Sequence, residues 1–160
     1  MVKIGLQISA NLENIASLST CDDFVWYFKL RCMSCGEEAQ AWQSVEASSK
    51  SAVKGSRGTA NLVIKCKLCG RENSIDVLPE SIVPYTADDA LNFKTIASFD
   101  CRGVEPVSFD ARDGFVVEAS ESRSQFTDVN LEEKEWSDYD EKEKQTVGIY
   151  ELQHKFIKLK

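Results

Sequence analysis

Apolar and polar residues alternate from the start of the chain, where Val2, Ile4, Leu6 and Ile8 are interleaved with Lys3, Gly5, Gln7 and Ser9. A period of two puts every second side chain on one face, so the pattern predicts a strand. From Ala10 to Thr20 the rhythm changes, with Leu12, Ile15 and Leu18 three residues apart, a spacing that fits either a helical turn or a second strand. Phe24 to Leu30 is rich in aromatic and β-branched residues and reads as a well-buried strand, with Ala41 to Val45 as its return. Ala47 to Gly58, with four serines, two glycines and the bases Lys50, Lys54 and Arg57, reads as a flexible connection. Asn61 to Lys65 and Ser74 to Leu78 are two further strands, the latter stopped by Pro79, which has no N–H for a ladder.

Pro84 to Leu91 reads as a connection with one helical turn at Ala87 to Ala90. The β pattern resumes at Lys94–Phe99, Val107–Phe109 and Gly114–Ala119, with Asp113-Gly114 as a turn signal. Asp128 to Lys144 is densely charged, broken by Leu131, Trp136 and Tyr139, and reads as a solvated face before a terminal strand over Val147–Leu159. Leu12-Glu13-Asn14-Ile15 and Val104-Glu105-Pro106-Val107 share an apolar-Glu-x-apolar signature. The expected fold is mainly β, two similar sandwich- or barrel-like modules. Residues 1–92 form the first and 93–160 the second, packed closely against it, unless 1–160 is one continuous domain.

Composition changes this picture little. With 42% hydrophobic and 28% charged residues in 160, the chain has the balance of a soluble globular protein. No apolar run reaches the length of a membrane span, and the N-terminus lacks a signal-peptide h-region, so the expected address is the cytoplasm, with the nucleus also open to it. The formal charge of −7 is uneven, because Lys29 to Glu72 holds eight bases against four acids. An acidic chain with one mildly basic lobe is a poor general ligand for nucleic acid, where affinity comes from neutralising phosphates.

The chemistry sits in that lobe. Cys32-Met33-Ser34-Cys35-Gly36 and Cys66-Lys67-Leu68-Cys69-Gly70 repeat one pattern, C-x2-C-G, with thirty residues between the pairs. Each is a tight turn that aims two sulfurs at one point, and each follows a predicted strand, as the knuckles of a zinc ribbon do. Four thiolates suit one tetrahedral Zn²⁺, so Cys32, Cys35, Cys66 and Cys69 are the candidate ligands and one zinc per chain the candidate cofactor. Paired disulfides fit an oxidising compartment, and a thioredoxin-type site needs its C-x-x-C to open a helix; neither context is present. A closed shell of four cysteines leaves no position for substrate, which makes the metal structural. Cys21 and Cys101, lacking metal-spaced partners, read as small buried hydrophobes.

Over essentially its full length the chain resembles the eukaryotic CXXC-motif-containing zinc-binding proteins. The residues that carry the resemblance are Leu12–Ile15, Trp26-Tyr27, both cysteine pairs, Arg71-Glu72-Asn73-Ser74-Ile75, Phe99-Asp100-Cys101-Arg102-Gly103-Val104-Glu105-Pro106-Val107, Trp136-Ser137-Asp138-Tyr139-Asp140-Glu141-Lys142 and Val147-Gly148-Ile149-Tyr150-Glu151. The resemblance implies zinc on Cys32, Cys35, Cys66 and Cys69, a mainly β fold of two similar halves, and no assigned enzymatic activity.

Three classes of function compete. An enzyme of the triad type would have to use His154, the single histidine, which stands alone on a predicted strand, and the chain has no phosphate-binding loop of P-loop spacing. An RNA-binding zinc ribbon would use Lys50, Lys54, Arg57, Lys65 and Lys67, with Trp26, Tyr27 and Phe28 as stacking groups, although these aromatics suit a core better. A non-enzymatic protein that binds a protein partner fits best, with Trp136, Tyr139 and Tyr150 as candidate anchors. The alternative within that class is an adaptor or chaperone handling zinc or copper, since thiolates also accept Cu(I).

Overall fold

The computed structural model describes residues 2–48, 51–52 and 58–159. Its strands are β1 (Val2–Glu13), β2 (Ile15–Thr20), β3 (Val25–Cys32), β4 (Gln43–Glu46), β5 (Ser51–Ala52), β6 (Thr59–Ala60), β7 (Leu62–Lys65) and β8 (Glu72–Leu78). There follow β9 (Tyr85–Thr86), β10 (Lys94–Arg102), β11 (Val104–Phe109), β12 (Phe115–Ala119), β13 (Gln125–Val129), β14 (Trp136–Asp140) and β15 (Gln145–Leu159). Helix is confined to two short 3₁₀ turns, Pro79–Ser81 and Ala87–Asp89, and among the described residues no helix is long and apolar enough to cross a membrane. The fold is mainly β, as expected.

The largest sheet has the order β14-β15-β1-β10-β8-β7; the others are β11-β3-β4, β13-β12-β2-β9 and the small pair β5-β6. Each of the three larger sheets combines strands from both sides of residue 92. Two bends make this possible. Asn14 (φ 55) and Gly103 (φ 76) turn the chain out of β1 and β10, in the largest sheet, into β2 and β11 of two different sheets. The apolar-Glu-x-apolar signature straddles the first bend but follows the second.

Burial alternates along β3, the strand that composition marks as well buried. In β3, Trp26, Phe28, Leu30 and Cys32 point inward while Val25, Tyr27, Lys29 and Arg31 point outward, so only one face of this aromatic run is deeply buried. Its inward rings continue across the interior: Phe115 meets Phe24 at 4.9 Å between centroids, Phe24 meets Trp26 at 4.6 Å, and Phe99 of β10 meets Trp26 at 5.4 Å and Phe28 at 5.0 Å. Edge-on aromatic packing of this kind adds to the stabilisation from burial alone.

Three segments clarify or correct the sequence reading. Ala10–Thr20 is strand, and the three-residue spacing of Ile15 and Leu18 has a physical cause. The β2–β12 register slips so that Ile15 faces Ala119 and Ser17 faces Glu118, a bulge at Ala16 that puts two inward positions three residues apart. The acidic tract 128–144 is only partly a solvated face. It contains β14, Leu131 is fully buried, and Asp140 is 1% exposed. The Asp140 carboxylate accepts hydrogen bonds from Ser122 Oγ (2.5 Å) and the Lys142 N–H (3.1 Å), which holds the β14–β15 turn. The predicted flexible piece at 47–58 lies largely outside the described residues.

Candidate metal centre

Both cysteine pairs sit where a strand ends, and the same hydrogen bonds close both turns. In the first, the Gly36 N–H donates to Cys32 O (2.8 Å) and the Cys32 N–H to Glu37 O (2.9 Å). In the second, the Gly70 N–H donates to Cys66 O (2.9 Å) and the Cys66 N–H to Arg71 O (2.8 Å). Gly36 and Gly70 take φ values of +80° and +76°, where a side chain would be strained. β3 and β7 carry the turns, and β8 leads the second back into the largest sheet.

These turns bring all four Sγ atoms within 4.8 Å of one another. Cys32 Sγ lies 3.7 Å from Cys69 Sγ, and Cys35 Sγ 3.6 Å from Cys66 Sγ. A tetrahedron with Zn–S bonds of ~2.3 Å has S···S edges of about 3.75 Å, so the set fits Zn²⁺. None of these cysteines is in a disulfide. Electrostatics point the same way. Backbone N–H groups of Cys35 and Ser34 hold the Cys32 thiol down to about 6, and that of Cys69 lowers Cys66. Cys35 moves oppositely: the Glu37 N–H draws it down, but local desolvation and the adjoining Cys66 thiol push it up to about 12. Sulfurs this close cannot all ionise alone; a divalent cation removes the conflict.

The bend at Gly103 braces the first turn, since the Met33 N–H donates to Gly103 O (2.9 Å). Asn73, 3% exposed, sets its side-chain amide against the Gly103 and Glu72 carbonyls, and the amide orientation that satisfies both donates to Gly103 O (3.1 Å) and Glu72 O (3.2 Å), tying β8 to the same bend. A Cβ at Gly103 would come within 2.3 Å of the Asn73 amide, and the backbone there is left-handed. Gly103→Ala is therefore expected to cost about 2 kcal/mol or more and to weaken metal retention, measurable by urea unfolding and a zinc competition titration. Sequence reading quoted Asn73 and Gly103 only as part of a family pattern; their supporting role follows from tertiary packing.

The other candidate residues go elsewhere. Cys101 is 2% exposed and burial pushes its thiol up to about 12, as a small core hydrophobe requires. Cys21, also expected to be buried, is exposed, because it begins the turn after β2; desolvation and the nearby Asp128, Asp22 and Asp113 raise its thiol. Trp136 is half-buried and packs edge-on against Phe126 at 5.5 Å, while Tyr150 lies over Gly148 and donates to Glu13 Oε1 (3.2 Å). Of the three candidate anchors, Tyr139 is the exposed one. Glu105 pairs with Arg31 across β11 and β3.

His154 is half-buried between Phe109 and Phe156, and its Nε2 accepts the Phe109 N–H at 3.3 Å. Burial, assisted by Lys134, lowers its pKa below the ordinary 6.5. A depressed histidine stabilises the fold above its unfolded value and loses that contribution as pH falls through its folded value. Stability measured on the acid side of 6.5 is expected to fall more steeply for this protein than for His154→Gln, checked by urea melts across pH.

The profile of the eukaryotic family described as CXXC motif containing zinc binding protein matches residues 5–157. A curated Homo sapiens protein of that name is 52% identical over 159 residues, covering 99% of both chains, and a Xenopus laevis protein of the same name is 49% identical over the same coverage. The solved crystal structure of C1orf123 superposes with a TM-score of 0.94 at 52% identity, covering 98% of this chain and 99% of that one. A hypothetical protein from Plasmodium falciparum superposes with a TM-score of 0.89 at 28% identity, covering 98% and 100%.

Proposed function

The chain belongs to the eukaryotic family of CXXC-motif-containing zinc-binding proteins, and on that premise we propose that Cys32, Cys35, Cys66 and Cys69 hold one structural Zn²⁺ in a non-enzymatic protein that works by binding another protein. The observation that carries the metal assignment is the convergence of four sulfurs from two identically hydrogen-bonded turns. When bound, the metal supplies charge neutralisation and a cross-link between the turns; a full shell of thiolates leaves it no open coordination position. The interaction role is supported by the surface the turns present. Met33 and Leu68, the apolar residues within each C-x2-C, are 49% and 66% exposed, and the exposed Trp42 lies nearby in sequence, just before β4.

Native mass spectrometry with elemental analysis, before and after a competing chelator, tests the metal half. One zinc per chain is expected, with structure lost at the turns on its removal. Cross-linking in cells that make the protein tests the interaction half: reproducible cross-links to a defined protein are expected. A second reading rests on the exposure of Cys35 and Cys69. Two accessible sulfurs give an incoming thiol a route to the ion, as a protein passing on zinc or copper requires. Rapid zinc transfer to an acceptor while the fold persists would put that reading first.

A further inference from the structure

Two strand edges face each other without a strand between them. β14 covers β15 only over Gln145–Ile149, and the pairing of residues 153–159 of β15 is with β1 alone. β11 ends its sheet and pairs only with β3. Between the two edges lies a slot of about 440 Å³ whose lining includes Ile4, Pro106, Val107, His154, Phe156 and Lys158. The Phe109 N–H of β11 points across to β15, where His154 Nε2 accepts it in place of a strand carbonyl. Phe156 forms apolar floor, seated on Phe28 at 5.6 Å.

We propose that this slot accepts an extended, acidic segment of a partner protein, which adds as a strand along β15. The assignment rests on the interaction role proposed above and gives it a second surface, apart from the cysteine turns, with a partner chemistry. Bare edges offer rows of backbone donors and acceptors, the basis of recognition by strand addition. Pro106 and the register slip between Pro106 and Ser108 blunt β11, so β15 supplies the ladder and β11 the opposite wall. The slot's charge selects the sign of the ligand. Lys158 lines it with its ammonium, while Lys155 lends it the stem of a side chain whose ammonium lies 4.4 Å over the Phe93 ring. Its one acid, Glu105, is already paired with Arg31, so Lys158 leaves the slot basic in a chain of formal charge −7.

The probe is a short synthetic peptide alternating valine and glutamate, titrated into the ¹⁵N-labelled, zinc-loaded full chain. Slowed amide exchange and shifted resonances are expected over residues 154–158 of β15. A valine–lysine counterpart and a peptide with a central proline should leave those amides unchanged. Lys158→Glu should weaken the acidic peptide about fivefold while leaving the melting curve in place. Unperturbed amides over 154–158 overturn the proposal, as do shifts centred on the cysteine turns. Concentration-dependent self-association that protects the same amides without peptide also overturns it and gives the edge to a second copy. Cellular cross-links that avoid β11 and β15 overturn the slot while leaving the interaction role intact; absence of any partner cross-link defeats both.

Discussion

Cys66→Ser is expected to abolish stoichiometric zinc retention and to lower stability by more than ~4 kcal/mol, the range reached when a structural metal is lost. The reason lies in what the two turns connect. Cys32 ends β3, whose Trp26, Phe28 and Leu30 are in the core, while Cys66 directly follows β7, which pairs with β8. Without the cation, four sulfurs within 4.8 Å cannot all be thiolates unless they move apart. Either outcome loosens the contact between the bend at Gly103 and the turns. For a chain of this size the melting temperature should fall by about 10 °C or more. Calorimetry of the zinc-loaded and Cys66→Ser proteins, with metal content measured on the same samples, checks it; an unchanged midpoint with zinc absent would refute a structural metal.

Phe99→Ala is expected to cost ~3–5 kcal/mol, the usual range for removing a buried ring. Phe99 has no exposed surface and reaches from the largest sheet to both Trp26 and Phe28 on the three-stranded sheet. Its loss opens a cavity where two sheets meet and forfeits two edge-on ring contacts. Urea unfolding followed by tryptophan fluorescence reads the change, because Trp26 borders the cavity. The zinc content should be unchanged, which separates this effect from that of Cys66→Ser.

How much of this was legible beforehand depends on whether the cause was local. The candidate metal centre was the most legible feature, because the C-x2-C-G turn is closed by its own backbone and needs only a strand before it. Alternation located β1 and aromatic, β-branched composition located β3, whose inward face is buried. Distant pairing was not legible. The bulge at Ala16 exists only because β12 lies beside β2, and without that partner the spacing of Ile15 and Leu18 is ambiguous. Asp140 reads as one more acid in a charged tract until Ser122 and the Lys142 N–H are placed against it. Cys21 was misread because composition does not tell a turn from a core. The facing edges of β11 and β15 were invisible for the same reason, since nothing in either strand records what lies across from it.

β1, the first strand made, lies between β15, the last, and β10, with Lys3 opposite both Leu159 and Asp100. During synthesis, therefore, β1 has no sheet partner until β10 is made, and its other edge stays bare until β15 follows. Closure is dominated by contacts far apart in sequence, which makes folding slow and leaves the nascent chain open to unwanted strand pairing. The cysteine turns escape this delay, because both are complete by Gly70. A metal ion can thus organise one end of the protein before the central sheet has its final strand, and cells short of zinc should accumulate the nascent form on chaperones.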